Sequence, residues 1–142
     1  MTDTAQSTQD RPLVTFALFA YNQEKYIREA VEGVFAQTYE PLEIILSDDC
    51  SDDSTFTIMQ EMARRYQGPH KVRAIRQNAN LGTVDHVISV ARIASGKFFV
   101  LNSGDDISYP FRVKEIVAAF QGSNAVAICS KHDEIDSSGE II

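Results

Sequence analysis

With 142 residues, 44% of them hydrophobic and 23% charged, the chain has the length and composition of one globular domain. Its formal net charge of −7 argues against a nucleic-acid partner, because phosphates are bound mainly by neutralising them with Lys and Arg. No apolar run reaches the roughly 18 residues of a membrane span, and the polar start lacks a secretory signal. We therefore expect no transmembrane segment and a cytoplasmic location.

The first part of the chain alternates between strand and helix patterns. After a polar stretch, 1–12, which we expect to be a flexible tail, the almost continuous apolar run LVTFALFA (13–20) predicts a strand buried on both faces. The segment 21–37 repeats apolar residues at helical spacing and predicts a helix with Asn22 as its N-cap. The run LEIILS (42–47) predicts a second buried strand.

The middle of the chain continues the alternation. A polar loop leads into a predicted helix at 56–66, and the run 71–77 alternates like a strand. The turn NANLG precedes a helical pattern at 83–95, for which Gly96 is the expected C-cap. The apolar run KFFVLN (97–102) predicts a fourth strand.

The last part predicts one more helix and strand. Ser108 is placed to cap a helix that runs to Phe120, and AVAICS (125–130) predicts a fifth strand. The end of the chain, HDEIDSSGEII, has the pattern of a hairpin with Ser-Ser-Gly as its turn. Residues 13–142 are thus expected to form one α/β domain, a Rossmann-like three-layer α/β/α sandwich with a mostly parallel sheet.

Polar clusters follow three of the predicted strands, at the point where each strand ends. They read AYN at 20–22, DDCSDDS at 48–54 and SGDD at 103–106. The carboxyl ends of parallel strands share one edge of a sheet, and ligands bind outside that edge. We therefore expect the three clusters to form one binding site.

Asp105 and Asp106 are the most informative residues of these clusters. Adjacent carboxylates repel each other, and a hard divalent cation would relieve that repulsion while bridging the acidic chain to a diphosphate. Gly104 would let the main chain and a phosphate approach closely. The alternative is structural, with both aspartates forming a turn before the helix that Ser108 caps.

Other familiar sites fit the sequence poorly. It contains neither a P-loop nor a dinucleotide-binding glycine pattern, and DDCSDDST lacks the glycine and glutamate of a calcium loop. Asp49 is the candidate for a hydrogen bond to a nucleobase or ribose, whereas Asp52, Asp53 or Ser54 caps the next helix. The histidines are predicted to be surface or packing residues: His70, His86 and His132.

Taken together, these motifs resemble family 2 glycosyltransferases of the GT-A fold. The resemblance covers about 13–130 and rests on QTY after the first helix, on DDCSDDST, on NANLG and on ASG followed by GDDISYP, in that order. It implies transfer of a sugar, with inversion, from a UDP-, GDP- or dTDP-linked donor to an acceptor hydroxyl, as in polysaccharide biosynthesis. It also implies Mn²⁺ or Mg²⁺ as the cofactor.

The resemblance assigns roles to individual residues. Asp49 would contact the base, Asp105 the ribose or sugar, and Asp106, the last acid of a DXD-like element, would bind the metal. The chain departs from the family pattern in three places. Ala20 replaces a Thr or Ser, Ile88 stands where many relatives have asparagine, and SGDD stands in place of a strict D-x-D. The implied nucleotide-sugar site comprises Ala20, Tyr21, Asn22, Asp49, Gly82, Gly104, Asp105 and Asp106.

An inverting transferase also needs a general base, usually a carboxylate, to deprotonate the acceptor. The family takes this residue from the second half of its domain, so no catalytic residue is assigned in this chain. We expect the donor-binding half of a longer protein, whose other parts could reach the inner membrane, and we expect no transfer by this half alone. Two other readings stay open, a nucleotidyltransferase-like enzyme and a degenerate module that binds partners without catalysis.

Overall fold

A computed structural model describes residues 11–142, so the tail predicted at 1–12 lies almost entirely outside the described residues. Within that range, strands and helices alternate along the chain. They are β1 (Val14–Ala20), α1 (Ile27–Phe35), β2 (Leu42–Asp48), α2 (Thr55–Arg65), β3 (Lys71–Arg76), α3 (Thr83–Ala91), β4 (Phe98–Ser103) and α4 (Arg112–Gln121). The order confirms the predicted α/β class.

All four strands are parallel and lie in the order β3-β2-β1-β4. In the register of the sheet, Ala20 at the end of β1 pairs with Asp48 of β2, and Phe19 pairs with Ser103 of β4. The three polar clusters therefore leave the sheet side by side at its carboxyl edge, as the sequence predicted.

The sheet is covered on both faces, which makes three layers. One face packs against α1, α2 and α4, and α1 contributes a stripe at helical spacing formed by Ile27, Ala30, Val31 and Val34. The other face packs against α3 through Ala17, Ile45 and Val90. Burial of each large apolar side chain contributes about 1.5–3 kcal/mol, so these two layers fix the sheet and its carboxyl edge.

A buried carboxylate, Glu43, lies near the amino ends of the strands, at the other end of the sheet from the polar clusters. Glu43 of β2 accepts a 2.6 Å hydrogen bond from Thr15 Oγ1 and a 2.9 Å bond from the main-chain N–H of Ser95. Arg73 lies 3.4 Å from its other oxygen. Burial raises the pKa of Glu43, but these hydrogen bonds and the charge of Arg73 outweigh it, so the pKa lies below its ordinary value.

The fifth predicted strand is wrong. Residues 125–130 form no strand in the described part of the chain, and Val126 is fully exposed. A short apolar run becomes a strand only where a partner strand and a core receive it, and this run has neither within residues 11–142. The predicted hairpin is confirmed, because Ile135 and Ile141 form an antiparallel bridge around a turn at 137–139.

Asn22 does not cap α1 as predicted. The helix begins at Ile27, and Tyr26 occupies the N-cap position. Asn22 adopts a left-handed conformation (φ 51°), and its side chain accepts a 2.9 Å hydrogen bond from the main-chain N–H of Asp52. The asparagine therefore joins two loops instead of starting a helix.

The predicted caps at Gly96 and Ser108 are wrong as well. The helix α3 ends at Ala91, and the N–H of Gly96 donates instead to Thr15 Oγ1 at 2.9 Å. Ser108 is buried and its hydroxyl donates to Asn102 Oδ1 at 3.1 Å, while α4 starts only at Arg112. In both cases the group expected at a helix end, the Gly96 N–H or the Ser108 hydroxyl, forms a hydrogen bond with another part of the fold instead.

None of the helices between residues 11 and 142 combines the length and the apolar character that crossing a membrane requires.

Candidate functional site

A cleft of about 340 Å³ opens at the carboxyl edge of the sheet. Four of the residues predicted from sequence line it: Ala20, Tyr21, Asp49 and Gly82. Gln23, Asn80, Thr83, His86 and Ser103 line it as well. A second depression of about 300 Å³, between α1 and α2, lies away from the strand ends and contains none of the predicted site residues.

Asp49 connects the strand end to the loop before α3. Its carboxylate accepts hydrogen bonds from the main-chain N–H groups of Leu81 (2.8 Å) and Gly82 (2.9 Å), one on each oxygen. Gly82 has φ 76°, a conformation that favours glycine. Each carboxylate oxygen has a further lone pair, so Asp49 can hold this loop and still accept a hydrogen bond from a ligand.

Asp48, one residue earlier, has a different role. Its side chain is fully buried and accepts hydrogen bonds from the N–H of Ser51 (2.9 Å) and from its hydroxyl (2.5 Å), and Arg76 lies 3.4 Å away. Asp48 therefore shapes the loop after β2 and leaves Asp49 as the acid that faces the cleft.

The loop after β1 is held by the loop after β2. The N–H of Asn22 donates to Ser51 Oγ (2.9 Å), and the N–H of Gln23 donates to Thr55 Oγ1 (2.8 Å). Asn22 is thus a loop connector, while Tyr21, 45% exposed, lines the cleft. Asp53, one of the predicted caps, accepts the N–H of Thr55 at the start of α2.

Gly104 begins the acidic loop after β4 and is buried, with its N–H donating to the Phe19 carbonyl at 2.8 Å. A Cβ at this position would lie 2.9 Å from the Cβ of Ala20 and 2.5 Å from Gln23 Oε1. Packing against the first loop therefore requires glycine here. Ala20, the departure from the family pattern, faces this contact.

The acidic pair projects from that loop. Asp105 and Asp106 are both exposed, and Asp105 accepts a hydrogen bond from the hydroxyl of Ser103, which lines the cleft. No hydrogen bond or ion pair between residues 11 and 142 engages the Asp106 carboxylate. Neither aspartate lines the cleft itself, and the link between the pair and the cleft is Ser103.

A network of polar side chains around Asn102 holds the acidic loop at the end of β4. Asn102 Nδ2 donates to the carbonyl of Asp106 (2.9 Å), and Asn102 Oδ1 accepts from Ser108 Oγ (3.1 Å) and Arg112 Nη1 (2.7 Å). Burial lowers the pKa of the Arg112 guanidinium, and the charge of Asp106 acts in the opposite direction. The network was not foreseen from the sequence, in which Ser108 was assigned to a helix cap.

The side chains of the site could supply only part of the ligands of a divalent cation. In the described range, no three or more His, Cys, Asp or Glu side chains stand close enough together to hold a metal ion alone. Mg²⁺ and Mn²⁺ sites often use one or two carboxylates and complete their shell with substrate phosphates and water. Asp105 and Asp106, exposed and adjacent, fit that second kind of site.

His86 is the main site residue that sequence reasoning missed. The prediction that it packs is confirmed, since it is 3% exposed, but it also lines the cleft beside Asp49. Burial lowers its pKa, and the charges of Asp49 and Asp48 partly oppose that shift. One sequence feature pointed to it, because His86 lies four residues after Gly82 and hence on the same side of α3.

Comparisons with known proteins agree with this architecture. The family model described as "Glycosyl transferase family 2" matches residues 15–141. An "uncharacterized glycosyltransferase" of Haemophilus influenzae is 32% identical over 124 residues, which is 87% of this chain and 38% of that relative. The chain therefore spans well under half of that relative's length.

Two solved structures share the fold. TarS of S. aureus, residues 1–349, in complex with UDP-GlcNAc matches 77% of this chain and 31% of its own, with a TM-score of 0.64 and 23% identity. The mannosyltransferase PcManGT of Pyrobaculum calidifontis, in complex with GDP-Man and Mn²⁺, matches 74% of this chain and 31% of its own, with a TM-score of 0.67 and 21% identity.

Proposed function

The chain belongs to glycosyl transferase family 2, and on that premise we propose that its cleft binds the nucleotide diphosphate sugar of a sugar transfer to an acceptor hydroxyl. The chain spans only 38% of its Haemophilus relative, so sugar transfer by the whole protein is itself a proposal. We place the reaction in the cytoplasm, where sugar nucleotides are made.

The observation that carries the proposal is the convergence of the polar clusters on one cleft. The ends of β1 and β2 and the loop before α3 contribute Tyr21, Asp49 and Gly82, and Ser103 joins the acidic loop to the same wall. A cleft outside the carboxyl ends of parallel strands is where α/β proteins bind their ligands.

Each residue has a proposed part in donor binding. Tyr21 lies against the base, Asp49 accepts a hydrogen bond from it, and Gly82 lets the loop pass close to the donor. Asp105 contacts the ribose or sugar, and Asp106 binds the metal. Asn22 and Gly104 contribute by shaping the loops, since their contacts in the fold are with neighbouring chain segments.

The metal site is proposed from Asp106, with Asp105 beside it. The complex of PcManGT with GDP-Man and Mn²⁺ supports a divalent cation. Such an ion would neutralise the donor diphosphate and stabilise the charge that grows on the leaving nucleotide. The residues of this chain would hold and orient the donor, while the free Asp106 carboxylate offers the anionic ligand.

No residue is proposed as the general base. Two of the acidic side chains near the end of the chain are engaged elsewhere, with Asp133 accepting from Tyr109 (2.7 Å) and Asp136 from Ser138 (2.6 Å). We propose that the 142 residues bind a donor and leave deprotonation of the acceptor to another part of a longer protein. Sugar transfer by the 142-residue chain alone would contradict this part of the proposal.

Thermal unfolding with UDP, GDP and dTDP, each with and without Mn²⁺, tests donor binding. A ligand that binds only the folded state adds about 2.7 kcal/mol at a hundredfold excess over Kd. We expect a metal-dependent increase in Tm with at least one nucleotide, lost in Asp106→Asn. The control Asp52→Asn removes an exposed acid outside the cleft and should keep the increase. No increase with any nucleotide would favour a module without a donor site.

A further inference from the structure

The glutamine of the QTY stretch (37–39) is a buried amide that the donor-binding proposal leaves without a role. Gln37 lies just after α1 and is 4% exposed, and its side chain contacts the chain segment that follows the acidic loop. We propose that Gln37 is a positioning residue for that loop, so that its amide determines where Asp105 and Asp106 stand beside the cleft. The inference rests on the proposed donor site and goes beyond it, because it gives a function to a residue that does not line the cleft.

The amide of Gln37 binds the main chain on both sides of Pro110. Its Nε2 donates to the Tyr109 carbonyl (2.8 Å) and to the Gly33 carbonyl (3.0 Å). Its Oε1 accepts from the main-chain N–H of Val113 (3.1 Å). Two carbonyls face one end of the amide and an N–H faces the other, so the orientation of the group is fixed. Gln37 therefore holds the main chain at two points, one before α4 and one in its first turn.

The contact with Val113 completes the start of α4. The first N–H groups of a helix have no partner within it, and the N-cap residue Phe111 supplies no side-chain hydrogen bond. Gln37 supplies the acceptor from a distant part of the chain, in the place of a Ser or Asp at the N-cap. Thr38 adds two hydrogen bonds to the Pro110 carbonyl, from its main-chain N–H (2.9 Å) and from its hydroxyl (3.2 Å).

The segment held in this way carries the side chains that support the acidic loop. Ser108 and Arg112 donate to Asn102 Oδ1 (3.1 and 2.7 Å), and Asn102 Nδ2 donates to the carbonyl of Asp106 (2.9 Å). Gln37 binds the main chain at the residue directly after each of these two donors. A displacement of the segment would therefore move both partners of Asn102 and, through Asn102, the carboxylates of the loop.

Gly33 provides independent evidence that the segment rests on α1. A Cβ at this buried glycine would lie 3.0 Å from the main-chain nitrogen of Ser108 and 3.1 Å from its oxygen, closer than an ordinary contact. Gly33 precedes Gln37 by four residues and lies on the same side of the helix end. The end of α1 thus contacts the segment with a glycine where the two main chains touch and with an amide where they bond.

Titration of the 142-residue chain with the nucleotide that raises its Tm, with and without Mn²⁺, tests the proposal. Gln37→Met keeps the approximate volume of the side chain and removes its donor and its acceptor. We expect roughly tenfold weaker affinity with Mn²⁺, within the range of coupling between residues of one network, and unchanged affinity without Mn²⁺. In the Asp106→Asn background, Gln37→Met should have no further effect on affinity, because the carboxylate that it positions is absent.

Two controls separate positioning from a general loss of stability. Val90→Ala removes part of a fully buried side chain on the opposite face of the sheet. Gln121→Met makes the same chemical change at an exposed position of α4. Both should bind the nucleotide as the parent does. Gly33→Ala, a second test variant, displaces the same segment while keeping Gln37, and the higher helix propensity of alanine offsets part of its cost. It should also weaken the affinity measured with Mn²⁺.

Parent-like affinity with Mn²⁺ in folded Gln37→Met would overturn the proposal, and Gly33→Ala decides in the same way if Gln37→Met does not fold. Equal weakening with and without Mn²⁺, or equal weakening in Val90→Ala, would assign Gln37 a purely structural role and overturn it as well. These results leave donor binding intact, whereas a parent without metal-dependent nucleotide binding overturns the proposed function and this inference together.

Discussion

Asn102 donates a 2.9 Å hydrogen bond to the main-chain oxygen of Asp106, so the end of strand β4 sets the position of the proposed metal ligand. Asn102 is 7% exposed, whereas the Asp106 side chain is exposed. The geometry of an exposed carboxylate thus depends on a buried amide, and that amide depends in turn on Ser108 and Arg112.

Asn102→Ala should reduce both stability and metal-dependent nucleotide binding. Removing the amide leaves the Asp106 carbonyl without its partner, which costs about 1–3 kcal/mol, and leaves Arg112 with only Ser108 and the Leu101 carbonyl. Chemical denaturation measures the stability, and a nucleotide titration with Mn²⁺ measures the affinity. Asn124→Ala, at an exposed position after α4, should change neither quantity. Full affinity in folded Asn102→Ala would show that the amide does not position Asp106.

Gly104→Ala should destabilise the fold and displace the acidic loop. The new methyl group would lie 2.9 Å from Ala20 and 3.0 Å from Ile27, and overpacking of this kind costs about 1–3 kcal/mol. At Gly122 the nearest atom to an added Cβ is 3.6 Å away, so Gly122→Ala should be tolerated. Denaturation midpoints of the two variants compare the sites directly, and equal midpoints would contradict the packing role of Gly104.

Glu43 should make stability depend on pH in the acidic range. Its pKa is lower in the folded chain than its ordinary value of 4.5, so it stabilises the fold above that pH and loses the contribution as pH falls through the folded pKa. Denaturation experiments from pH 6 to 3 should therefore show the free energy of unfolding falling more steeply in the parent than in Glu43→Gln. Glu61→Gln, at a half-exposed helix pair with Arg65, should follow the parent. The same dependence of stability on pH in the parent and in Glu43→Gln would contradict a lowered pKa of Glu43 in the folded chain.

His86 should add a second pH dependence, closer to neutrality. Its pKa is lower in the folded chain than its ordinary value of 6.5, so the unfolded chain takes up the proton first as pH falls. Stability without metal should therefore decrease below about pH 6.5, and His86→Gln should remove that decrease. The exposed His132, changed to Gln, serves as the control. A decrease of the same size in His86→Gln would contradict burial of a neutral ring.

The sequence predicted the sheet well because its strands are marked by local patterns. The runs at β1 and β2 are largely apolar, as is typical of strands buried on both faces, and the rule for parallel sheets then places their polar ends together. The run at 125–130 has a similar composition but no strand to pair with in the described chain, and composition alone does not reveal that.

The site was predicted less completely than the sheet, because its supporting contacts join distant segments. His86 and Ser47 are 39 residues apart, and Gln37 reaches across to Val113, 76 residues away. Only the folded sheet shows that Asn22 joins two loops and that His86 faces the cleft. Local pattern identified the acids that end the strands, and tertiary contacts decided which of them face a ligand.

The most direct test of the account is an electron paramagnetic resonance titration of Mn²⁺ with the chain and the nucleotide that raises its Tm. Binding reduces the signal of free Mn²⁺, so the titration measures the metal without relying on catalysis. We predict that the signal falls when protein and nucleotide are both present, that it falls much less with Asp106→Asn, and that Asp52→Asn behaves like the parent. Equal binding of Mn²⁺ by the parent and Asp106→Asn would contradict the claim that this acidic loop holds a metal-bound nucleotide.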